Sequence, residues 1–437
     1  MNRIVNYTIP YKPASLTEFL RFGAGMERFY FESTQSPVAI AGLGIAAQIS
    51  TDGGNRFAEL GTSALALFQQ IICVNEADST PRPILLSGGS FFDTMERGGW
   101  DSFPSAALIL PRYALIRIGA DYFISVNQLS GGAKRNSVRL EAESFIARLE
   151  STAIPSPSMP DELSVSETSQ AEWQSAIRRS VKMIQQGKIK KVVLARPAQA
   201  TGNRAMDIPA MLEKIGESCP ACFRFLFEFL PAVAFAGATP ERLVSVAGAK
   251  FKTAAIAGSI RRGDFAAEDE MLGQQLLSSA KDQSEHTFVL DQIREKMTPL
   301  TESLTIESAP KILRLPNIQH LRTKITGALK PGHSILNIVA ALHPTPAVGG
   351  TPTTAALQVI RELEGFERGW YAAPVGWVNA DGDGDFVVAI RSGLFRENSA
   401  TLYGGAGIVA NSDPQKEWDE TALKMRFLLN AMQYEMA

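Results

Sequence analysis

The sequence contains few of the residues that usually build a metal or redox centre. Its 437 residues include three cysteines and four histidines, too few for a disulfide framework or for a structural zinc site at finger-like spacing. Cys219 and Cys222 do have the spacing of a redox motif, but no second ligand pair follows nearby. Redox and zinc chemistry are therefore not expected.

The chain also lacks a charge bias and a long apolar run. Lys and Arg number 43 against 45 Asp and Glu, so nothing favours nucleic acid or an anionic membrane as a partner. No segment reaches the roughly 18 apolar residues of a membrane span, and the N-terminus lacks the apolar core of a signal peptide. We expect a cytoplasmic protein in which any anion site is local.

The residues that are present predict a globular protein large enough for one big core or two domains, because 45% of the 437 residues are hydrophobic and 20% are charged. A Pro- and Ser-rich stretch at 151–170 predicts a linker between an N-terminal half, 1–150, and a C-terminal core, 171–437. Short runs rich in Val and Phe, joined through turn residues, outnumber the long helices. This pattern predicts an α+β fold with large antiparallel sheets flanked by helices.

A possible dinucleotide fingerprint lies near the N-terminus. Gly42 to Ala47 read G-x-G-x-x-A after an apolar run, which is the basis of an alternative function, a dinucleotide-dependent oxidoreductase. Asp52 follows too early to bind a ribose at the usual spacing. The residues after Ala47 read as a turn where the fingerprint needs a helix, so a buried strand and turn explain the motif better.

A second motif resembles a calcium loop. Asp381 to Asp385 alternate Asp and Gly, but Phe386 and Ser392 stand where such a loop needs Gly and a bidentate Glu. An Asp-Gly hairpin turn between two strands is the better prediction.

Paired carboxylates occur on two predicted helices. Asp282 and Glu285 lie three apart in a long helical pattern and therefore share a face. In the C-terminal segment, Asp413 is a candidate N-cap, with Pro414 at the first helical position. A stripe of that helix then carries Glu417, Glu420 and Lys424.

These carboxylates either form one site or lie on two unrelated helix faces that are exposed to solvent. If the two acidic pairs converge, their oxygens suit Mg²⁺, which binds few carboxylates and keeps several waters. The spacing alone leaves both possibilities open.

A series of segments in the C-terminal core resembles one enzyme family, over roughly residues 165–434. It is similar to the chorismate-binding enzymes, which include anthranilate, aminodeoxychorismate, isochorismate and salicylate synthases. The N-terminal half resembles the more variable part of that fold, with AGLGIAAQ as a sheet strand and the active site in a central cleft. The segments are KKVVLARP, ATPERLVS, TAAIAGSIRRG, SAKDQSEHTFVLDQI, NIQHLRTKI, HPTPAVGGTP, RGWYAAPVGW, FVVAIRSG and GGAGIVANSDPQKEWDETALK.

The resemblance implies how the dicarboxylate chorismate is held. Its ring carboxylate is expected on Mg²⁺, bound by Glu285 and Glu420, with Asp282 and Glu417 supporting the bound waters. Its enolpyruvyl carboxylate is expected to meet backbone N–H groups of a glycine-rich turn and cationic side chains. The residues implied in substrate binding are Gly258, Ser259, His320, Ala347, Tyr371, Arg391, Gly405, Gly407 and Lys424.

The resemblance also implies the reaction. Amine-forming relatives usually carry Gln where this chain has Lys191, and aminodeoxychorismate synthase carries a nucleophilic Lys where this chain has Ala257. Water is therefore the expected nucleophile, with Lys191 as base and Glu241 as acid. Ala347 and Val348 follow the pattern of isochorismate synthases. The segments AIAGSIRR and RGWYAAPVGW also resemble those enzymes, especially the ones feeding menaquinone or catecholate siderophores.

The expected protein is thus a Mg²⁺-dependent isomerase that converts chorismate to isochorismate, as a monomer and without an amidotransferase subunit. The alternative is salicylate synthase, which also eliminates pyruvate. Physically, Lys191 must be partly neutral to accept a proton from water. Glu241 must stay protonated, which requires an apolar setting that raises its pKa above about 4.3.

Overall fold

The structure of the protein is a computed structural model that describes residues 3–12, 15–75, 80–96, 98–129, 135–314 and 318–433. Asn317, in one of the family-like segments, lies outside the described residues. Within them the chain forms a large sheet system in two layers, with helices on the outer faces. The predicted α+β fold with antiparallel sheets is confirmed, since β1 with β4 is the one parallel pair among the described strands.

The strands are β1 (Ile4–Pro10), β2 (Arg28–Glu32), β3 (Val38–Thr51), β4 (Ile71–Cys73), β5 (Ile84–Gly89), β6 (Ala106–Ile118), β7 (Asp121–Leu129), β8 (Leu163–Glu167), β9 (Lys191–Gly202), β10 (Phe223–Leu230), β11 (Val233–Thr239), β12 (Arg242–Ala247), β13 (Lys250–Arg261), β14 (Thr301–Ile306), β15 (Lys311–Arg314), β16 (Ile318–Leu329), β17 (Gly350–Thr351), β18 (Pro374–Asn379), β19 (Gly384–Val388), β20 (Ser392–Arg396) and β21 (Ser399–Ile408). The helices are α1 (Leu16–Phe22), α2 (Arg56–Gln69), α3 (Arg135–Ser151), α4 (Gln170–Gln185), α5 (Ile208–Ser218), α6 (Ala266–Ser278), α7 (Ala280–Met297), α8 (Ile335–Leu342), α9 (Thr353–Leu363) and α10 (Pro414–Ala431).

The two layers share strand β6 and each contains strands from both halves of the chain. One layer runs β4-β1-β7-β6-β3-β2-β10-β11-β20-β21-β9-β8. The other runs β6-β5-β18-β19-β12-β13-β16, with β14 and β15 on the far side of β16. Strand β8 falls inside the stretch 151–170, so part of that stretch is sheet.

The space between the layers is filled by aromatic side chains. Phe225, Phe235 and Trp370 are fully buried, and the rings of Phe227 and Trp370 meet edge to face with centroids 5.1 Å apart. Burying each such ring stabilises the fold by about 1.5–3 kcal/mol. A second cluster, which includes Phe19, Phe145 and Leu428, packs helices α1, α3, α5 and α10 on one outer face.

Local sequence signals explain the helix ends, with one correction. Asp413 caps α10 by accepting from the backbone N–H groups of Gln415 and Lys416, as predicted. The predicted long helix that carries Asp282 and Glu285 is wrong as one element, because it divides into α6 and α7. Ser279 ends the first and caps the second with its side chain, which is where a serine competes best with helical hydrogen bonding.

The two rejected motifs are strand and turn. Strand β3 runs through Gly42 to Ala47, and α2 starts only at Arg56, so the dinucleotide interpretation is wrong. Asp381 to Asp385 join β18 to β19 as the predicted hairpin.

Two further observations concern features that the sequence analysis raised. Cys219 and Cys222 form a disulfide between the end of α5 and the start of β10, which was not anticipated. Among the described helices, none is long and apolar enough to cross a membrane.

Candidate active site

Residues from distant parts of the chain meet where strands of both layers end. Lys191 opens β9, Glu241 lies in the turn between β11 and β12, His320 is on β16 and Lys424 is on α10. The charges of Lys191 and Lys424 both act on Glu241 and both act on His320. These four residues therefore surround one site.

Glu241 is a carboxyl group without a hydrogen-bond donor among the described residues, and its pKa is shifted. Burial raises its pKa to about 7, although Lys191 and Lys424 oppose this by favouring the carboxylate. No described residue donates a hydrogen bond to its carboxyl oxygens; its backbone N–H bonds the hydroxyl of Thr239 at 3.1 Å. Near neutral pH a large fraction of Glu241 thus carries the proton that a general acid needs.

Lys191 points across the site toward α7. Its Nζ lies 3.3 Å from Oε1 of Glu285, and the pair is partly exposed at 19% and 28%. Gly407 on β21 leaves room for this side chain, since a Cβ there would lie 3.2 Å from Cε of Lys191. The backbone at Gly407 is extended, so glycine is needed there for the space it leaves and not for a left-handed conformation.

The ends of β13 and β16 form a second wall. A bulge at Gly258, where φ is +74°, displaces the strand beside α7, and a Cβ there would meet Cβ of Asp282 at 3.1 Å. Oγ of Ser259 lies 2.7 Å from Nδ1 of His320. Burial, together with the lysine charges, lowers the pKa of His320 to about 4, so its imidazole is neutral and offers a polar, uncharged edge.

Arg391 and Tyr371 come from the segments that flank β18 and β19. Arg391 has a left-handed backbone, with φ at +52°, between β19 and β20, and burial lowers its pKa. Its guanidinium forms no ion pair with any described carboxylate, which leaves its fork open to an anionic ligand. Gly405 faces Tyr371, because a Cβ there would lie 2.9 Å from the Tyr371 hydroxyl.

Helix α10 supplies the remaining charges. Lys424 donates to the carbonyl of Gly405 at 2.7 Å and to Oε1 of Glu420 at 2.6 Å. Burial, aided by the charge of the neighbouring Glu420 and opposed by a hydrogen bond with Ser412, raises the pKa of Glu417 to about 7. The predicted stripe of Glu417, Glu420 and Lys424 therefore faces the same site as Lys191.

The four carboxylates predicted to serve a metal ion share neighbours but do not form a tight cluster. Glu285 and Glu420 accept from Lys191 and Lys424, and Asp282 accepts from Ser279. In the described part of the chain, no three His, Cys, Asp or Glu side chains stand close enough to hold a metal. Two oxygen donors completed by waters and substrate nevertheless match what Mg²⁺ uses, so the donor chemistry fits this ion.

Ala347 lies behind Glu241, not among the charged residues. Both line a small cavity of about 40 Å³ whose other walls include Thr345, Gln292 and Lys296. The substrate-binding role that the resemblance implies for Ala347 stays a prediction.

Sequence reasoning missed two buried arginines that brace the site. Arg368 pairs with Glu364 and donates to the carbonyls of Val193 and Val348 at 2.8 and 3.0 Å. Arg196 is 1% exposed and binds α10. Both lie within or next to the family-like segments, but a sequence does not show which charges are buried.

This geometry gathers cationic side chains, carboxylates and one glutamic acid with a raised pKa around one site, an arrangement typical of an enzyme active site. The chain belongs to the chorismate-binding enzyme family, whose pattern it matches over residues 1–433.

Named relatives cover nearly the whole chain. It is 36% identical over 427 residues to the salicylate biosynthesis isochorismate synthase of Pseudomonas aeruginosa, covering 94% of this chain and 87% of that protein. It is 31% identical over 443 residues to the isochorismate synthase MenF of Bacillus subtilis, covering 98% and 93%.

Two solved structures resemble this chain over nearly its whole length. The menaquinone-specific isochorismate synthase MenF of Escherichia coli superposes with a TM-score of 0.80 at 25% identity, covering 99% of this chain and 95% of that one. Anthranilate synthase component I of Streptococcus pneumoniae shares the fold, with a TM-score of 0.68 at 20% identity over 98% of this chain and 92% of that one.

Proposed function

We propose that this protein is an isochorismate synthase, an isomerase that adds water at C2 of chorismate and removes the hydroxyl at C4. The observation that carries the proposal is that Lys191 and Glu241 lie near each other in one site, where burial raises the pKa of Glu241 to about 7. The isochorismate synthases that resemble the chain over most of its length support it.

The chemistry needs one proton acceptor and one proton donor. Lys191 accepts a proton from water as the water oxygen forms its bond to C2. The ring double bonds shift, the C4–O bond breaks, and Glu241 gives its proton to the departing hydroxyl, which leaves as water. One water enters and one leaves, and the two side chains return to their starting states by proton exchange with solvent.

The other residues bind and orient the substrate. Arg391 and Lys424 attract the enolpyruvyl carboxylate beside the glycines Gly405 and Gly407. Carboxylates Glu285 and Glu420 would hold Mg²⁺, with Asp282 and Glu417 orienting its waters. When bound, the ion supplies positive charge to the ring carboxylate and draws electron density from the diene. The cytoplasmic location and the monomeric state remain predictions.

Product analysis tests the proposal. The protein is incubated with chorismate, with and without Mg²⁺, and the products are separated by chromatography. Isochorismate formed only with Mg²⁺ is expected. Salicylate plus pyruvate would favour the alternative, salicylate synthase, and a product that requires ammonia would reject water as the nucleophile. Lys191→Ala, assayed in parallel, controls for contaminating activity.

A further inference from the structure

Arg196 is a buried charge that the proposed chemistry does not use. It lies on β9, five residues after Lys191, and only 1% of it is exposed. Burying a guanidinium is costly unless its donors are satisfied. The contacts that satisfy them therefore indicate what the residue does.

Most of those contacts go to α10. Nε of Arg196 donates to the hydroxyl of Thr421 at 2.8 Å, and Nη2 donates to the carbonyl of Trp418 at 3.4 Å. The guanidinium carbon lies 3.5 Å from the centre of the Trp418 ring, a close cation–π contact. The Thr421 hydroxyl in turn donates to the Trp418 carbonyl at 2.8 Å.

The contacted residues alternate with the functional residues of the helix. Trp418 and Thr421 face β9, while Glu417, Glu420 and Lys424 lie around them on the same two turns. Because each residue turns the helix by about 100°, a small rotation of α10 would swing all three charges away from the site.

Helix α10 also packs closely against the sheet. Gly404, opposite Arg196 in the pairing of β21 with β9, has no room for a methyl group, since a Cβ would lie 2.7 Å from the carbonyl oxygen of Thr421. Glu167 of β8 completes the arrangement by accepting from Nη1 and Nη2 of Arg196 at 3.1 and 3.2 Å.

We propose that Arg196 is a positioning residue that fixes the rotation of α10 about its axis and the distance of the helix from the sheet. It thereby places Glu417, Glu420 and Lys424 opposite Lys191, the first residue of the strand β9 that also carries Arg196. Lysine cannot replace it fully, because the role needs several donors in a planar fork and a flat face for the indole. The inference rests on the proposed function only where its test measures activity with chorismate and Mg²⁺.

The test compares Arg196→Met with a matched control, Arg28→Met. Arg28 also forms an ion pair with a buried carboxylate, Glu228, with side chains 14% and 2% exposed, but it contacts none of the site elements. We expect Arg196→Met to raise the half-saturating Mg²⁺ concentration and the KM for chorismate by about 10–100-fold, as the loss of residues that orient metal ligands does. Arg196→Lys should recover part of the loss. Arg28→Met should lower the Tm and leave both constants near those of the parent.

Hydrogen–deuterium exchange of α10 gives a readout that does not depend on the reaction. In Arg196→Met, amides of the helix from Trp418 onward should exchange faster than in the parent and in Arg28→Met. Parental exchange in α10, or equal rises of KM in both variants, would overturn the inference. If the parent protein fails to convert chorismate while the exchange result holds, the proposed function fails and the positioning role stands.

Discussion

Glu241 and Glu420 are the same residue type in one site, yet their surroundings differ. The carboxyl of Glu241 receives no hydrogen bond from a described residue, and burial raises its pKa to about 7. Glu420 is 38% exposed at its side chain and binds the ammonium of Lys424 at 2.6 Å. Burial favours the protonated form of Glu241, which suits a proton donor. Glu420 instead lies at the more exposed edge of the site, in direct contact with a cationic side chain.

The largest expected effect comes from removing the proton donor or acceptor. Glu241→Gln keeps the shape but has no proton to donate, and Lys191→Ala removes the base. Each should lower kcat by about 10²–10⁴-fold while the circular dichroism spectrum and chorismate binding stay close to those of the parent. Near-normal turnover in either variant would show that the base or the acid is wrongly assigned.

Changing Glu420 should affect the dependence of the reaction rate on Mg²⁺. Glu420→Ala is expected to raise the half-saturating Mg²⁺ concentration by about 10–100-fold and to weaken chorismate binding, because a predicted ligand is lost. Mg²⁺ titration of the steady-state rate measures this. Stimulation by Mg²⁺ as in the parent would contradict the ligand assignment; Asp419→Ala, on the exposed face of the same helix, serves as the control.

A smaller effect is expected from adding one methyl group beside the base. In Gly407→Ala the new Cβ would lie 3.2 Å from Cε of Lys191, so the lysine must shift by a few tenths of an ångström. We expect kcat to fall roughly tenfold, since small misplacements of reacting groups are costly. Gly54→Ala, where a Cβ meets nothing within 4 Å, should keep the parental rate. Equal rates in the two variants would mean that Lys191 need not hold this position.

The last expected effect concerns stability: the variant that loses activity, Glu241→Gln, should be more stable than the parent at neutral pH. The folded pKa of Glu241, about 7, lies above its ordinary value of 4.5, so the folded protein binds more protons between these values. Stability contributed by the neutral carboxyl is therefore lost as pH rises from about 4.5 to about 7. Glu241→Gln lacks this loss and should gain up to roughly 3 kcal/mol relative to the parent between pH 5 and pH 8.

Urea unfolding of both proteins at the two pH values measures this gain. Burial also raises the pKa values of Glu417 and Asp385. Both residues are present in the parent and in the variant, so their contributions to the pH dependence of stability cancel. The same pH dependence in parent and variant would show that Glu241 is not held neutral.

Much of the fold could be predicted because its signals are local. Short alternating runs gave antiparallel strands, and Asp413 with Pro414 marked the start of α10. The break between α6 and α7 was missed because Ser279 is compatible with a helix until its capping bond to the N–H of Asp282 is seen. The disulfide was missed because CxxC spacing does not show whether the two sulfurs meet.

The site could be assembled only in part. The resemblance brought Lys191, Glu241 and Arg391 together as candidates, and the structure places them around one cleft. The sequence could not show that Lys191 pairs with Glu285, 94 positions away, nor that Arg196 and Arg368 are buried. The first feature and the burial of Arg196 depend on contacts between residues distant in the chain, such as Arg196 with Thr421, 225 positions apart, which no local pattern encodes.

The most direct test of the central claim, that a solvent water activated opposite a protonated Glu241 replaces the C4 hydroxyl, is a single-turnover reaction in H₂¹⁸O. The product is analysed by mass spectrometry at early times, before the reverse reaction contributes. The account predicts one ¹⁸O atom in each isochorismate, located in the hydroxyl at C2. Unlabelled isochorismate would mean that the hydroxyl moves within the substrate, and would contradict the roles given to Lys191 and Glu241.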